Sequence, residues 1–237
     1  MALNKHKLKF ETVEPQLKTI LYELMKEPLF DDFILVGGTN LSLRLGHRKS
    51  DDIDLFTDAE YGSLNFNDFD NYLQWRYPYY DTVNISNENI AFGKTYYIGQ
   101  DKETAIKLDL MYADAPFFEK YENKEGIRMA SINQIAAMKI EAINTGGRKK
   151  DWWDIHELLS KNTLEEILEL HKKWEPWTHN KEQLLQKLII FDEADKEPNP
   201  KCIKEKDWDI IKMDIIKQVE IIKTPRQQKN PTFQNKP

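Results

Sequence analysis

Three aspartates carry the first chemical signal in this 237-residue chain. Asp52 and Asp54 flank Ile53 in an apolar run that continues to Phe56, and Asp109 stands in Ala105-Ile-Lys-Leu-Asp-Leu-Met-Tyr112. Strand side chains alternate faces, so Asp52 and Asp54 share one face while Ile53 and Leu55 take the other. The same period sends Lys107 and Asp109 together to the side opposite Ile106, Leu108 and Leu110. Like charges placed side by side are unfavourable unless neutralised, and hard divalent cations with oxygen ligands are the usual remedy. Three carboxylates can hold two such ions about 4 Å apart, an arrangement that activates an attacking oxygen and stabilises a leaving one in nucleotidyl transfer. Mg²⁺ (or Mn²⁺) is therefore the expected cofactor, with Asp52, Asp54 and Asp109 as its ligands. An isolated Asp-x-Asp is more often a surface turn, but here the pair lies inside an apolar strand behind a glycine turn.

That turn is Gly37-Gly38. Glycines let the backbone approach a ligand closely, and a helix starting near Thr39 offers unpaired N–H groups to phosphate oxygens, with Thr39 and Asn40 as side-chain donors. The turn matches neither the P-loop nor the dinucleotide fingerprint. Further on, Lys139 falls within the apolar stripe Ile132, Ile135, Ala136, Ile140 and Ile143. Either its stem packs while its amine reaches water or pairs with Glu141 or Glu125, or the amine contacts a triphosphate. In Arg148-Lys149-Lys150-Asp151-Trp152-Trp153-Asp154, Asp151 is placed to cap a helix. Asp154, beside three bases and two tryptophans, suits a nucleotide's phosphates and base. The histidines show no zinc spacing, and Cys202 has no sequence partner for nucleophilic catalysis. Trp75, Trp174, Trp177 and Trp208 read as core packing on helical faces.

Positioning these groups falls to two kinds of element. Helical spacing of Leu17, Ile20, Leu21 and Leu24 predicts a helix over 14–26, and Phe33-Ile-Leu-Val36 predicts a buried strand that runs into the glycine turn and a short helix. Strands are expected at 53–56, 89–99 and 104–112, with a helix over 66–75. From Ser131 the periods turn helical, predicting helices at 132–144, 152–160, 164–174, 181–190 and 207–222. Ser131 and Gln134 have the form of a capping box, and Gly146-Gly147 stops that helix. The expected organisation is a core over 1–130, a helical domain over 131–223 that completes the nucleotide site, and a disordered tail over 224–237.

A chain of this length can bury a core without staples. One cysteine and a charged start without a secretory stretch point to a reducing, cytoplasmic setting, and no segment approaches the roughly 20 apolar residues of a membrane span. The net charge of −6 argues against general nucleic-acid coating, because such binding rests on phosphate neutralisation. Any nucleic acid must be met locally, at the clusters 44–49 and 148–150.

The run from Val36 through Gly37-Gly38-Thr39-Asn40, Arg44, Arg48, Ser50 and Asp52-Ile-Asp54 to Phe56 resembles the first motif of the AbiEii/AbiGii abortive-infection nucleotidyltransferase toxins. Lys107-Leu-Asp109-Leu resembles the second, and Lys139 with Arg148, Lys150, Asp151 and Asp154 resembles the third. The resemblance implies an α+β fold, a DNA polymerase β-like core of mixed sheet and flanking helices followed by a helical bundle. It implies a nucleoside triphosphate substrate, Mg²⁺ on Asp52, Asp54 and Asp109, and catalytic roles that extend to Lys139 and Asp151. Nucleotide contacts are implied for Gly37, Gly38, Thr39, Arg48, Ser50, Lys139, Arg148, Lys150 and Asp154. An RNA acceptor, such as the end of a tRNA, and a cognate antitoxin are inherited from the family. Ile155 stands where the third motif has leucine, and no fourth motif is found. A protein or small-molecule acceptor, or a catalytically silent binding module, are the competing readings; the intact three aspartates disfavour the silent one.

Overall fold

The computed structural model describes residues 7–83 and 92–224. Helix α1 (Pro15–Lys26) opens on a proline, whose missing N–H costs nothing in a first turn, and buries Leu17, Ile20, Leu21 and Leu24 as their spacing predicts. Strand β1 (Ile34–Leu35) leads into α2 (Gly37–Leu45), which begins at the first glycine rather than near Thr39. Strand β2 (Asp52–Thr57), helix α3 (Phe66–Arg76) and strands β3 (Tyr79–Val83), β4 (Gly93–Gly99) and β5 (Ile106–Tyr112) follow. The expected start of β4 at 89 falls partly outside the described residues.

Besides β3, two short strands escape the sequence patterns, β6 (Glu122–Lys124) and β7 (Ile127–Met129). They are joined by Glu125 and Gly126, both at positive φ, the twist a two-residue hairpin loop requires. The seven strands form one sheet in the order β3-β4-β5-β2-β1-β7-β6. β2 runs parallel to β5 and β1 parallel to β7, and the other neighbours are antiparallel.

The rest is helical: α4 (Ile132–Asn144), α5 (Lys149–Leu158), α6 (Leu164–Trp174), α7 (Lys181–Lys187), α8 (Asp192–Lys196) and α9 (Trp208–Lys223). Ser131 accepts the Gln134 N–H at 3.0 Å, so the predicted cap of α4 is formed. α5 begins three residues before Trp152 because the Asp151 carboxylate reaches back to the Arg148 N–H at 2.9 Å. Among the described residues no helix is long and apolar enough to cross a membrane.

The sheet divides two apolar clusters. Leu35, Ile53, Leu55, Leu108 and Leu110 pack with α1 and with Phe69 and Leu73 of α3. Ile34 and, more peripherally, Phe56 join the cluster built by α4, α5, α6 and α9. Helix α2 bridges them, giving Leu43 to the first and Leu41 and Leu45 to the second. The period of two therefore turns Asp52, Asp54 and Phe56 toward the α4 side. Trp174 and Trp208 are buried as expected, but Trp75 is 80% and Trp177 96% exposed. Trp75 lies on the side of α3 away from Phe69 and Leu73, and Trp177 belongs to the turn after α6.

Candidate active site

Parallel pairing of β2 with β5 makes Asp54 and Asp109 direct neighbours and sets Asp52 beside Lys107. The three carboxylates thus share one face of two strands: spacing predicts this for Asp52 and Asp54, and the pairing adds Asp109. Two of them have cationic partners. Lys150 Nζ of α5 lies 2.9 Å from Asp52 Oδ2, and Lys107 ion-pairs with Asp109, whose other oxygen accepts the Thr95 hydroxyl at 2.6 Å. Asp54 makes no ion pair among the described residues. Burial, and then the nearby charges of Asp109 and Asp52, push its carboxyl up to about 6. For Asp52, burial works in the same direction, but the charges of Lys150, Lys107 and Arg148 together outweigh it and hold the group below its usual value. Among the described residues no three His, Cys, Asp or Glu side chains are gathered as a metal-binding group.

The glycine turn abuts this trio. Gly37 takes φ +67°, and a Cβ there would collide with Asp54 Oδ2; a Cβ on Gly38 would meet the Arg48 guanidinium. Thr39 is fully buried, its hydroxyl bonding the Asp52 carbonyl and lying 2.8 Å from Ser50 Oγ. Asn40 is also internal, donating to the Leu35 and Ala130 carbonyls at 2.7 and 3.1 Å. Thr39 fastens α2 to the entry of β2, and Asn40 fastens it to β1 and to the residue after β7, instead of offering donors to a ligand.

Behind the turn lies a buried ionic cluster. The Arg48 guanidinium grips Asp154 through Nε and Nη2, at 2.7 and 2.8 Å, and His47 Nε2 donates to the same carboxylate at 2.7 Å. Lys139 Nζ bridges Asp154 at 2.8 Å and Asp151 at 2.5 Å. Burial disfavours the charge on Asp154, yet Arg48 and Lys139 hold it well below its usual value. Burial likewise opposes the charge on Lys139, but Asp151 and Asp154 raise its pKa. Lys139 therefore pairs with neither Glu141 nor Glu125, the partners considered from sequence. Asp154 is 0% exposed and all its polar reach is spent inside the protein, so it stands behind the cavity as a brace.

A cleft of about 380 Å³ opens between the sheet and α4. Gly37, Gly38, Ser50 and Asp54 form one wall, while Lys139, Arg148, Lys150 and Asp151 present its cationic side. Arg148 is exposed and Lys150 half-buried. The cleft thus joins Asp54, the central member of the carboxylate trio, with a close-approach glycine turn and two reachable cations, a combination suited to a phosphate ester chain.

A family profile described as "Nucleotidyl transferase AbiEii toxin, Type IV TA system" matches residues 19–236. The chain belongs to this family. As an AbiEii nucleotidyltransferase toxin it is an enzyme of nucleotidyl transfer within a toxin–antitoxin system. An uncharacterised protein of Aquifex aeolicus (strain VF5) is 30% identical over 171 residues, 68% of this chain and 75% of that one. JHP933 from Helicobacter pylori shares the fold with a TM-score of 0.54 at 20% identity, over 87% of this chain and 88% of its own. MenT4, a nucleotidyltransferase toxin from Mycobacterium tuberculosis H37Rv, gives 0.56 at 13% identity, over 86% and 81%. The mixed sheet with flanking helices and a helical C-terminal region is the nucleotidyltransferase fold expected from sequence.

In this AbiEii chain, Asp52, Asp54, Asp109, Lys139, Asp151, Arg148, Lys150, Gly37, Gly38 and Ser50 converge on or beside the cleft. Thr39, Arg48 and Asp154 are withdrawn behind it. Sequence reasoning did not single out Thr95 or His47. The first is revealed only by its pairing opposite Asp109 and the second only by its contact with Asp154.

Proposed function

We propose that this chain moves a nucleoside monophosphate from a nucleoside triphosphate onto the terminal hydroxyl of an RNA, a tRNA end being the acceptor of choice. The observation that carries this reading is the cross-strand juxtaposition of Asp54 and Asp109, with Asp52 on the same face, at the edge of a cleft with a cationic side. The donor set fits a hard divalent cation: three carboxylates, the central one lacking an ion-pair partner and crowded by like charge. Asp52, Asp54 and Asp109 would hold Mg²⁺ or Mn²⁺, which when bound supplies charge neutralisation and Lewis acidity at the transferred phosphoryl group.

The chain's own residues do the rest. Gly37 and Gly38 let the backbone approach the triphosphate, and Lys150 and Arg148 neutralise its oxygens. Lys139 and Asp151 fix α5 against α4 so that Lys150 faces the cleft. Asp109, oriented by Thr95, accepts the proton of the attacking hydroxyl. The new bond forms between that oxygen and the α-phosphorus, the bond to the bridging oxygen breaks, and pyrophosphate leaves. Helices from 131 onward complete the nucleotide site that the 1–130 core begins. The family's type IV system implies an antitoxin partner, and the substrates place this work in the cytoplasm.

Incubating the purified protein with each labelled triphosphate plus tRNA or whole-cell lysate tests the reading. Label on RNA together with pyrophosphate release is expected; label only on protein, or on small molecules, would sink the RNA acceptor.

A further inference from the structure

The cleft is electrically polarised across α4. On the α5 side, Lys139 leaves α4 toward Asp151 and Asp154, and Lys150 and Arg148 stand at the cavity. On the α6 side, Glu141 leaves α4 toward His171, and Asp114, just beyond β5, lines the same cavity. The sheet follows the same gradient: β2 carries Asp54 at the phosphate end and Phe56 further along, and Asp114 lies past the end of β5, which pairs with β2 in parallel. Between the two ends the walls are apolar, formed by Phe56, Ile135, Met138 and Ala142.

Glu141 is a held acceptor. Fully buried His171 donates from Nε2 to Glu141 Oε2 at 2.8 Å, and His171 Nδ1 is in turn met by His179 Nδ1 at 2.9 Å. The Asn144 amide donates to the same Oε2 at 3.3 Å. Next to this pair stands Glu175, only 9% exposed, with a buried Oε1 that has no hydrogen-bond partner among the described residues. Burial and then Glu141 push the Asp114 carboxyl up; burial and then Asp114 and Glu141 do the same to Glu175. Of these groups Asp114 and Glu141 line the cavity, and their acceptor oxygens at the end of its apolar walls ask for a donor from a ligand.

On the reading that this cleft takes a nucleoside triphosphate, we propose that Asp114 and Glu141 read the base and select one that presents an exocyclic amino group. With the triphosphate at Gly37 and Lys150, the base reaches along the apolar walls to the acidic end. An ionised carboxylate only accepts hydrogen bonds, so the amino group of cytosine is welcomed where the 4-oxo group of uracil is repelled. Guanine offers N1–H and a 2-amino group side by side, and hypoxanthine lacks the second donor.

Calorimetric titration of the full chain with CTP against UTP, and with GTP against ITP, tests this without relying on turnover. A charge-assisted hydrogen bond predicts that each amino-bearing member binds about tenfold tighter or more than its partner. Asp114→Asn and Glu141→Gln should each bring both ratios toward one. Glu141→Gln also touches His171, so Asp114→Asn, at an exposed position, separates base reading from folding. Equal affinities within both pairs, or ratios unchanged in both variants, would overturn the base rule and leave nucleotidyl transfer standing. Binding of none of the four triphosphates would overturn the rule together with the transfer reading.

Discussion

Asp54 concentrates the conflict at the residue scale, since it is crowded by two carboxylates and has no cation of its own. Its carboxyl, raised to about 6, binds a proton more tightly in the folded than in the unfolded chain. Its contribution to stability is therefore most favourable below the ordinary aspartate value of about 3.9 and is lost as pH rises through about 6. In chelator-treated protein at pH 7, Asp54→Asn should raise the melting temperature, by about 2–4 °C for each kcal/mol of repulsion removed. The same substitution should lower transfer by roughly 10³-fold or more, because several kcal/mol of charge stabilisation disappear with it. A variant that is both active and no more stable would remove Asp54 from the centre of the site. Asp154 behaves oppositely. Asp154→Asn leaves Arg48 buried without its counter-charge and Lys139 with Asp151 alone, at a cost of about 3–5 kcal/mol in denaturant unfolding. Because the folded carboxyl is held low, the stability gap to the unaltered protein should narrow as pH falls below about 4.

Elements set how these groups meet. The join between β1 and α2 depends on Gly37, whose positive φ and nearness to Asp54 exclude a side chain. Gly37→Ala should cost about 1–2 kcal/mol in backbone strain alone and should weaken triphosphate binding by displacing the Asp54 carboxylate; unchanged nucleotide affinity would show that the turn is only a connection. Several elements could be read directly from sequence. α4 and α6 match their predicted spans: in α4 apolar period, cap residue and stop signal agree, and in α6 the apolar period is closed off by the Thr163 cap. β3, β6 and β7 could not be read that way. β3 is a half-exposed edge strand with little alternation, and the β6–β7 turn uses Glu-Gly where Asn-Gly would have signalled a hairpin. α5 starts early for a tertiary reason too, since the carboxylate that caps it is also held by Lys139.

Across the whole molecule, charge and packing decide which surfaces are available. The basic run 44–49, expected to help grip RNA, is largely spent internally: Arg44 binds Asn40, Glu122 and the Ala130 carbonyl, and Arg48 is buried on Asp154. If the acceptor is RNA, as proposed, the basic group left to meet it is the 148–150 side, where Arg148 is exposed. Arg148→Ala should weaken RNA binding and reduce its salt slope by about 1, as measured by titration at several ionic strengths; an unchanged slope would move the RNA elsewhere. The helical half relies on α9, whose inner residues Ile211, Ile215 and Val219 join the cluster of α5. Ile215→Ala should cost about 2–5 kcal/mol in denaturant unfolding, whereas Met213→Ala, at an exposed position on the same helix, should stay within about 0.5 kcal/mol.

By itself the sequence determined that Asp52 and Asp54 would share a polar strand face behind a glycine turn, that Asp109 would stand on the polar side of its own strand, and that helices would follow. Those features are local, written in periods of two and 3.6 and in glycine's freedom. Only the tertiary structure decided the neighbours. Parallel pairing put Asp54 against Asp109, and α5 carried Lys150 to Asp52. The cluster of Arg48, Lys139, Asp151 and Asp154 formed across more than a hundred residues of chain, so that two of the expected nucleotide contacts, Arg48 and Asp154, became internal bracing. Long-range partnerships of this kind depend on which surfaces the apolar clusters press together, and no spacing along the chain records them.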